Sequence, residues 1–236
     1  IIFRISAVIG IRNVTMVQSA GNKHSGRSAH TRQRFIEAAE KLFAERSIDS
    51  VSLNEITVAA GQKNRNALQY HFGNRGGLLQ AIIDTHSQRV RELRQPFLTP
   101  ESTGRQSDLH RRAAKALVRP LTDYIEENPS GVYYIKILSQ LAALNSPVLN
   151  PATTTAISFD NDEALAQLFR HALSHLRATE IRRRMFLTIS MTFHGIADIC
   201  RASEGDNSSA TLRTRRKMFD QVTLALELLL AAKPQE

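Results

Sequence analysis

The sequence predicts an all-α fold of about nine helices, with a three-helix unit at the N-terminal end and a larger helical domain after it. Three observations carry this. From Thr31 onward apolar residues recur every three or four positions, the period of a helix with one buried face, while alternating runs are few. The breaks between periodic stretches carry helix punctuation, with Ser, Asn or Asp ahead of a stretch and Gly or Pro behind it. The 236 residues are 42% hydrophobic and 22% charged, globular composition long enough for a small domain plus a medium one.

Taken in order, residues 17–30 are polar, Gly/Ser-rich and basic and read as the end of a flexible arm, residues 1–30. Phe35, Ala38, Ala39, Leu42 and Phe43 mark a first helix over about 31–46. Ser52 followed by Glu55 is a capping-box pair ahead of Ile56, Ala59 and Ala60, so a second helix spans about 53–60. Gly61 ends it, free of the Cβ that penalises positive φ. A third short helix, about 65–71, is entered through Asn64 and carries Leu68. Asn74 caps a fourth whose apolar face is Leu78, Leu79, Ile82, Ile83, Val90 and Leu93, and Pro96 and Pro100 close it. Leu109, Ala113, Ala116, Leu117, Leu121 and Ile125 make the next stripe, which Pro120 is expected to kink or split. After a turn at Asn128-Pro129 come a helix over 131–144, a loop over 145–158, and helices near 160–177, 180–202 and 212–232. The expected division is arm 1–30, three-helix domain 31–76 and larger helical domain 77–236.

Charge divides the chain unevenly. Residues 1–95 hold 14 Lys/Arg against 7 Asp/Glu, and residues 96–236 hold 17 against 15. The first acidic residue is Glu37. A net +7 on the smaller part favours a polyanion there, although charge alone does not choose between DNA, RNA and anionic lipid. Cys200 is the single cysteine, so neither an intrachain disulfide nor a thiolate zinc cluster can form, which fits a reducing cytoplasm. No run of 18 apolar residues would span a membrane. The opening IIFRISAVIGI carries Arg4 and no small-residue cleavage pattern and does not read as a secretory signal; Met16 is an alternative start.

The helix after Gly61 is nearly all polar: Lys63, Asn64, Arg65, Asn66 and Gln69 surround only Ala67 and Leu68, and Tyr70, His71 and Arg75 gather at its far end. Amide side chains pair with adenine and guanidinium with guanine on major-groove edges, while lysine, tyrosine and helix-start N–H groups suit phosphates. Ser52 stands at such a helix start, where a plain capping role explains it equally well. Leu68 and Phe72 are expected in the core.

The segment 31–83, TRQRFIEAAEKLFAERSIDSVSLNEITVAAGQKNRNALQYHFGNRGGLLQAII, resembles the DNA-binding domain of the TetR family. The shared features are Leu42-Phe43 ending the first helix, Ile56 with Ala60-Gly61, and Tyr70-His71-Phe72 ahead of Arg75 and Leu78. The sequence departs from the family pattern in a turn one residue longer, with Gln62-Lys63-Asn64 after Gly61, and in Gly76-Gly77 where acidic helix formers are usual. The resemblance implies a homodimer that sets the third helix of each protomer into a palindromic double-stranded DNA operator. It also implies a C-terminal domain that binds a small-molecule effector and dimerises through its last two long helices, here those near 180–202 and 212–232.

Broad apolarity in the last helix (Phe219, Val222, Leu226 and Leu229, with Leu224, Leu228 and Leu230 on other faces) fits burial by both its own core and a partner. Tyr124, Tyr133, Tyr134, Met191, Phe193 and His194 are candidate effector-lining residues, with plain core packing as the simpler role for each. No catalytic, cofactor or metal site is read. His171 and His175 lack the intervening glutamate of a zinc helix, and no phosphate loop or nucleophile elbow occurs. A helical protein-binding scaffold remains the alternative, and it would not require the exposed polar helix beside a cationic arm.

Overall fold

The structure is a computed structural model that describes residues 24–64, 66–99, 106–144 and 162–234. Among these residues it has nine helices and no strand: α1 (His24–Glu45), α2 (Leu53–Ala59), α3 (Ala67–Phe72), α4 (Arg75–Leu98), α5 (Gln106–Glu127), α6 (Gly131–Leu144), α7 (Glu163–Ala172), α8 (Ala178–Ala202) and α9 (Ser209–Ala231). The all-α expectation holds. Helix α1 begins seven residues before the expected Thr31, so the part of the arm from 24 to 30 is helical, and the rest of the arm lies outside the described residues. The expected loop at 145–158 lies outside them too.

Local chemistry sets the ends. Ser52 and Glu55 form the capping box, Ser52 Oγ accepting from Glu55 N at 3.2 Å and Glu55 Oε2 accepting from Ser52 N at 2.8 Å. Asn74 Oδ1 accepts from Gly77 N at 3.0 Å, and Asp162 and Ser208 cap α7 and α9 in the same way. On α2 the buried positions are Ile56 and Thr57, followed by buried Ala60 at its C-cap; Ala59, expected on the apolar face, is exposed. Pro96 does not close α4, which runs on to Leu98, because the carbonyl it deprives belongs to exposed Glu92, where water can serve.

Pro120 does not split α5 either. Its missing N–H would leave the carbonyl of buried Ala116 without a donor, and the guanidinium of Arg94 on α4 supplies one, Nε to Ala116 O at 3.0 Å. Arg94 also reaches Asp162 at 3.5 Å. A second buried guanidinium, Arg184, closes the end of α9 by donating to Leu229 O at 2.9 Å, to Lys233 O at 3.1 Å and to Ala232 O.

These helices make one continuous hydrophobic core. Helices α1–α3 form a small head that rests on α4. Helix α5 is central in the larger part, packed by α4, α7 and α9, and α8 packs on α9. Helix α6 lies between the two parts, against α1 on one side and α8 on the other.

Candidate nucleic-acid interface

The head owes its shape to a few large side chains. Phe35 and Phe43 of α1, Ile56 of α2, Leu68 of α3 and Leu78 and Ile82 of α4 are 0–1% exposed and fix the three short elements against each other. Gly61 turns the chain between α2 and α3 with φ +64°, and a Cβ there would collide with the Arg34 guanidinium. Burying Leu68 turns the opposite face of α3 outward.

On that outer face Gln69 and Tyr70 are exposed, Tyr70 by 84%, and Lys63, Asn64 and Asn66 are exposed on the turn that leads into α3. Arg65 lies outside the described residues. Asn64 Oδ1 accepts from Asn66 N at 3.0 Å, which shapes the approach to α3. Arg32 and Arg34 of α1 are exposed nearby, Arg32 stacking 5.2 Å over the Phe72 ring. His71 is half-buried beside Phe35 and Phe72, and burial first, then Arg32, lowers its pKa and so favours the neutral ring. The Ser52 hydroxyl accepts from its own cap and keeps its hydrogen to donate outward. Val58 on α2, which the apolar pattern alone did not single out, is 66% exposed.

Arg75 is half-buried and donates to the carbonyl of Ile48 rather than standing free. It is one of several donors that satisfy the turn from α1 to α2. Leu42 O accepts from Arg46 N, Ser47 O from Ser50 N and Oγ, and Ser50 O from the Arg46 guanidinium. Gln140 of α6 completes the set: its Nε2 donates to Phe43 O at 2.7 Å and Arg46 O at 3.2 Å, and its Oε1 accepts from Ile48 N at 2.8 Å. No periodicity in the sequence marks Gln140, because its partners are backbone groups more than ninety residues away.

The candidate effector residues separate. Tyr124 and Tyr134 are buried and converge on His86: the Tyr124 hydroxyl is 2.6 Å from His86 Nδ1, and the Tyr134 ring stacks on the imidazole at 4.6 Å. Asn128 Oδ1 accepts from Ser130 N and Oγ, which turns its Nδ2 to donate to the Tyr124 hydroxyl at 2.7 Å. On the other side of the ring His86 Nε2 faces Glu40 Oε1 of α1 at 3.0 Å. The contact is off the line of a directed hydrogen bond, and both atoms are buried without a hydrogen-bond partner. Glu40 and His86 occupy apolar slots of their helical periods, and a polar residue in such a slot was the visible signal for them. Tyr133, Met191, Phe193 and His194 are half-buried on α6 and α8. A shallow groove between α8 and α9, lined by Ile199, Thr211, Thr214, Arg215 and Met218 among others, includes none of the six candidates. Cys200 is buried in α8, its thiol pushed up to about 11 by burial.

Comparison with known proteins places the head. Residues 35–82 match the family model described as bacterial regulatory proteins, tetR family. Among curated proteins the chain is similar to the HTH-type transcriptional regulator TtgR of Pseudomonas putida, 40% identical over 55 residues, which are 23% of this chain and 26% of that protein. The same identity and coverage hold for a protein named the probable HTH-type transcriptional regulator ArpR, also of Pseudomonas putida, so the matched segment spans about a quarter of the curated relatives' length. Among solved structures, a Rhodococcus protein assigned to the TetR family aligns over 86% of this chain and 100% of its own, with 17% identity and a TM-score of 0.43. A TetR-family regulator from Streptomyces coelicolor aligns over 89% and 99%, with 15% identity and a TM-score of 0.40.

Proposed function

We propose, from the premise that the chain carries at residues 35–82 the DNA-binding domain of the tetR family of bacterial regulatory proteins, that it is a ligand-responsive transcriptional regulator acting as a repressor in the cytoplasm. The observation that carries the reading is the outer face of α3. Gln69 and Tyr70 stand exposed on a short helix whose other side is locked by Leu68 into the head, Lys63, Asn64 and Asn66 stand exposed on the turn that leads into it, and Arg32 and Arg34 are exposed beside them. Amide and basic side chains held on a rigid support are what major-groove reading requires. In this reading Gln69 and Asn66, with Arg65, meet base edges, and Lys63, Tyr70 and the Ser52 hydroxyl meet phosphates. His71 and Arg75, named with them from the sequence, support the head from its inner side. The domain boundary is proposed at the start of α4, near residue 76.

A symmetric operator calls for two heads. The apolar surface left on α9 by Leu212, Met218, Leu224 and Leu228, with Leu187 of α8, supports pairing through α8 and α9; Leu228 is 62% exposed. A small-molecule effector in the larger domain would shift DNA affinity by favouring one arrangement of the heads. Tyr133, Met191, Phe193 and His194 remain its proposed contacts, whereas Tyr124 and Tyr134 are engaged by His86. No helix among the described residues is long and apolar enough to cross a membrane.

The test is selection of bound duplexes from random DNA, followed by affinity against salt. A palindrome bound far more tightly than random DNA, with half-sites about one helical turn apart or a multiple of it, is expected. Alanine at Arg65 and Gln69 should abolish the preference and leave the oligomeric state intact. Binding without sequence preference and with a steep salt dependence would turn the reading toward a helical scaffold with a basic surface.

A further inference from the structure

We propose that Gln140 is a positioning residue for the head: through it α6 sets the orientation of α1–α3 relative to the larger domain, and so the presentation of α3. The proposal rests on the DNA-binding reading for its consequence but not for its geometry. One side chain makes three bonds to the end of α1 and the turn after it, to Phe43 O at 2.7 Å, Arg46 O at 3.2 Å and Ile48 N at 2.8 Å. The end of a helix leaves carbonyls without partners inside the helix, and here they are satisfied from the other domain. The arrangement is directional. Reversing the amide would set oxygen against two carbonyls and N–H₂ against an N–H, so the clamp holds in one sense only.

The other side of α6 is fixed as firmly. Buried Lys136 donates to both carboxylate oxygens of Glu204, just past the end of α8, at 2.9 and 2.8 Å, and Ser139 Oγ accepts from Arg201 of α8 at 3.4 Å. Lys136, Ser139 and Gln140 fall within five residues, so about one and a half turns of α6 join α8 to the head. Any displacement of α6 against α8 must either carry the head with it or break the Gln140 bonds.

The experiment compares the full chain with Gln140→Leu and Gln140→Glu. Spin labels at exposed Asn54 on α2 and Gln167 on α7, in a Cys200→Ser background diluted with unlabelled chain, report the head-to-body distance, and hydrogen exchange reports the Ile48 amide. Gln140→Leu should broaden or shift the distance distribution and speed exchange at Ile48 by about tenfold, with the overall helix content unchanged. Gln140→Glu adds a readout that loss of packing alone would not give. Ionised, it faces two carbonyls and cannot donate, whereas protonated, as the pH falls toward about 4, it has one hydrogen to donate to one of the two carbonyls while its other oxygen accepts from Ile48 N. Its distance distribution should therefore return toward the wild type on acidification while that of Gln140→Leu does not. Wild-type distances and wild-type Ile48 exchange in both variants would overturn the proposal. A changed distance in a chain that selects no duplex would keep the clamp and remove the DNA-binding reading instead.

Discussion

Replacing Arg94 with methionine tests whether the guanidinium compensates for Pro120. The substitution keeps most of the aliphatic stem and removes two interactions, the 3.0 Å bond to Ala116 O and the 3.5 Å contact with Asp162. Stranding the buried Ala116 carbonyl costs about 1–3 kcal/mol, and loss of the partly buried charge contact about 1 kcal/mol more. The sum is a destabilisation of about 2–4 kcal/mol. The decisive measurement is the same substitution in a Pro120→Ala background, where residue 120 regains the N–H that reaches Ala116 O along the helix. There Arg94→Met should cost only about 1 kcal/mol, so the cycle carries a coupling of about 1–3 kcal/mol. Urea unfolding followed by far-ultraviolet circular dichroism at one protein concentration gives all four values. An Arg94→Met cost that is the same with proline and with alanine at 120 would refute the reasoning.

Gly77→Ala should destabilise the head by about 1–3 kcal/mol, because its Cβ would collide with Phe72 O, and thermal unfolding should show a clear drop in Tm. Gly76→Ala, whose Cβ meets only the Asn74 side chain at 3.1 Å, should be far milder. Glu40→Leu and His86→Phe each remove one of two facing buried polar atoms that lack a hydrogen-bond partner, so the double variant should cost less than the sum of the singles by about 1 kcal/mol; additive costs in a double-mutant cycle would contradict this. The Glu55 carboxyl is held down to about 2, first by the hydrogen bond from Arg46 and then by that from the Ser52 backbone. Its folded pKa lies below the ordinary 4.5, so its contribution is complete above about 4.5 and is lost as the pH falls toward 2. The stability difference between wild type and Glu55→Gln should close across that window and stay flat above it.

The sequence displayed the head well because its signals are local. The Ser52–Glu55 box, Gly61 and the Asn74 cap act within three or four residues of themselves, and Gln69 and Tyr70 are exposed on the short helix that buries Leu68. What pattern could not display is whatever one element does for another. Pro120 reads as a break until Arg94 is seen to reach its orphaned carbonyl. Arg75 reads as a DNA contact, and its bond to Ile48 O is invisible in the pattern. Tyr124 and Tyr134 read as lining for a ligand, and no pattern shows that both meet His86, Tyr124 by a hydrogen bond and Tyr134 by ring stacking. Gly77 reads as a weak helix start until the Phe72 carbonyl occupies the space of its missing side chain.

The early start of α1 changes the thermodynamics of meeting a polyanion. Seven residues of helix add about 10 Å of rod, and Arg27 and Arg34, one heptad apart, fall on the same side of it. A charge on a loose tether must surrender backbone freedom when it docks, at about 1–2 kcal/mol for each residue ordered. Charges borne on a helix have surrendered that freedom during folding, so the attraction they supply reaches the complex undiminished by ordering. The gain is greatest for a contact that must form and release repeatedly, since no segment has to be folded and unfolded at every encounter.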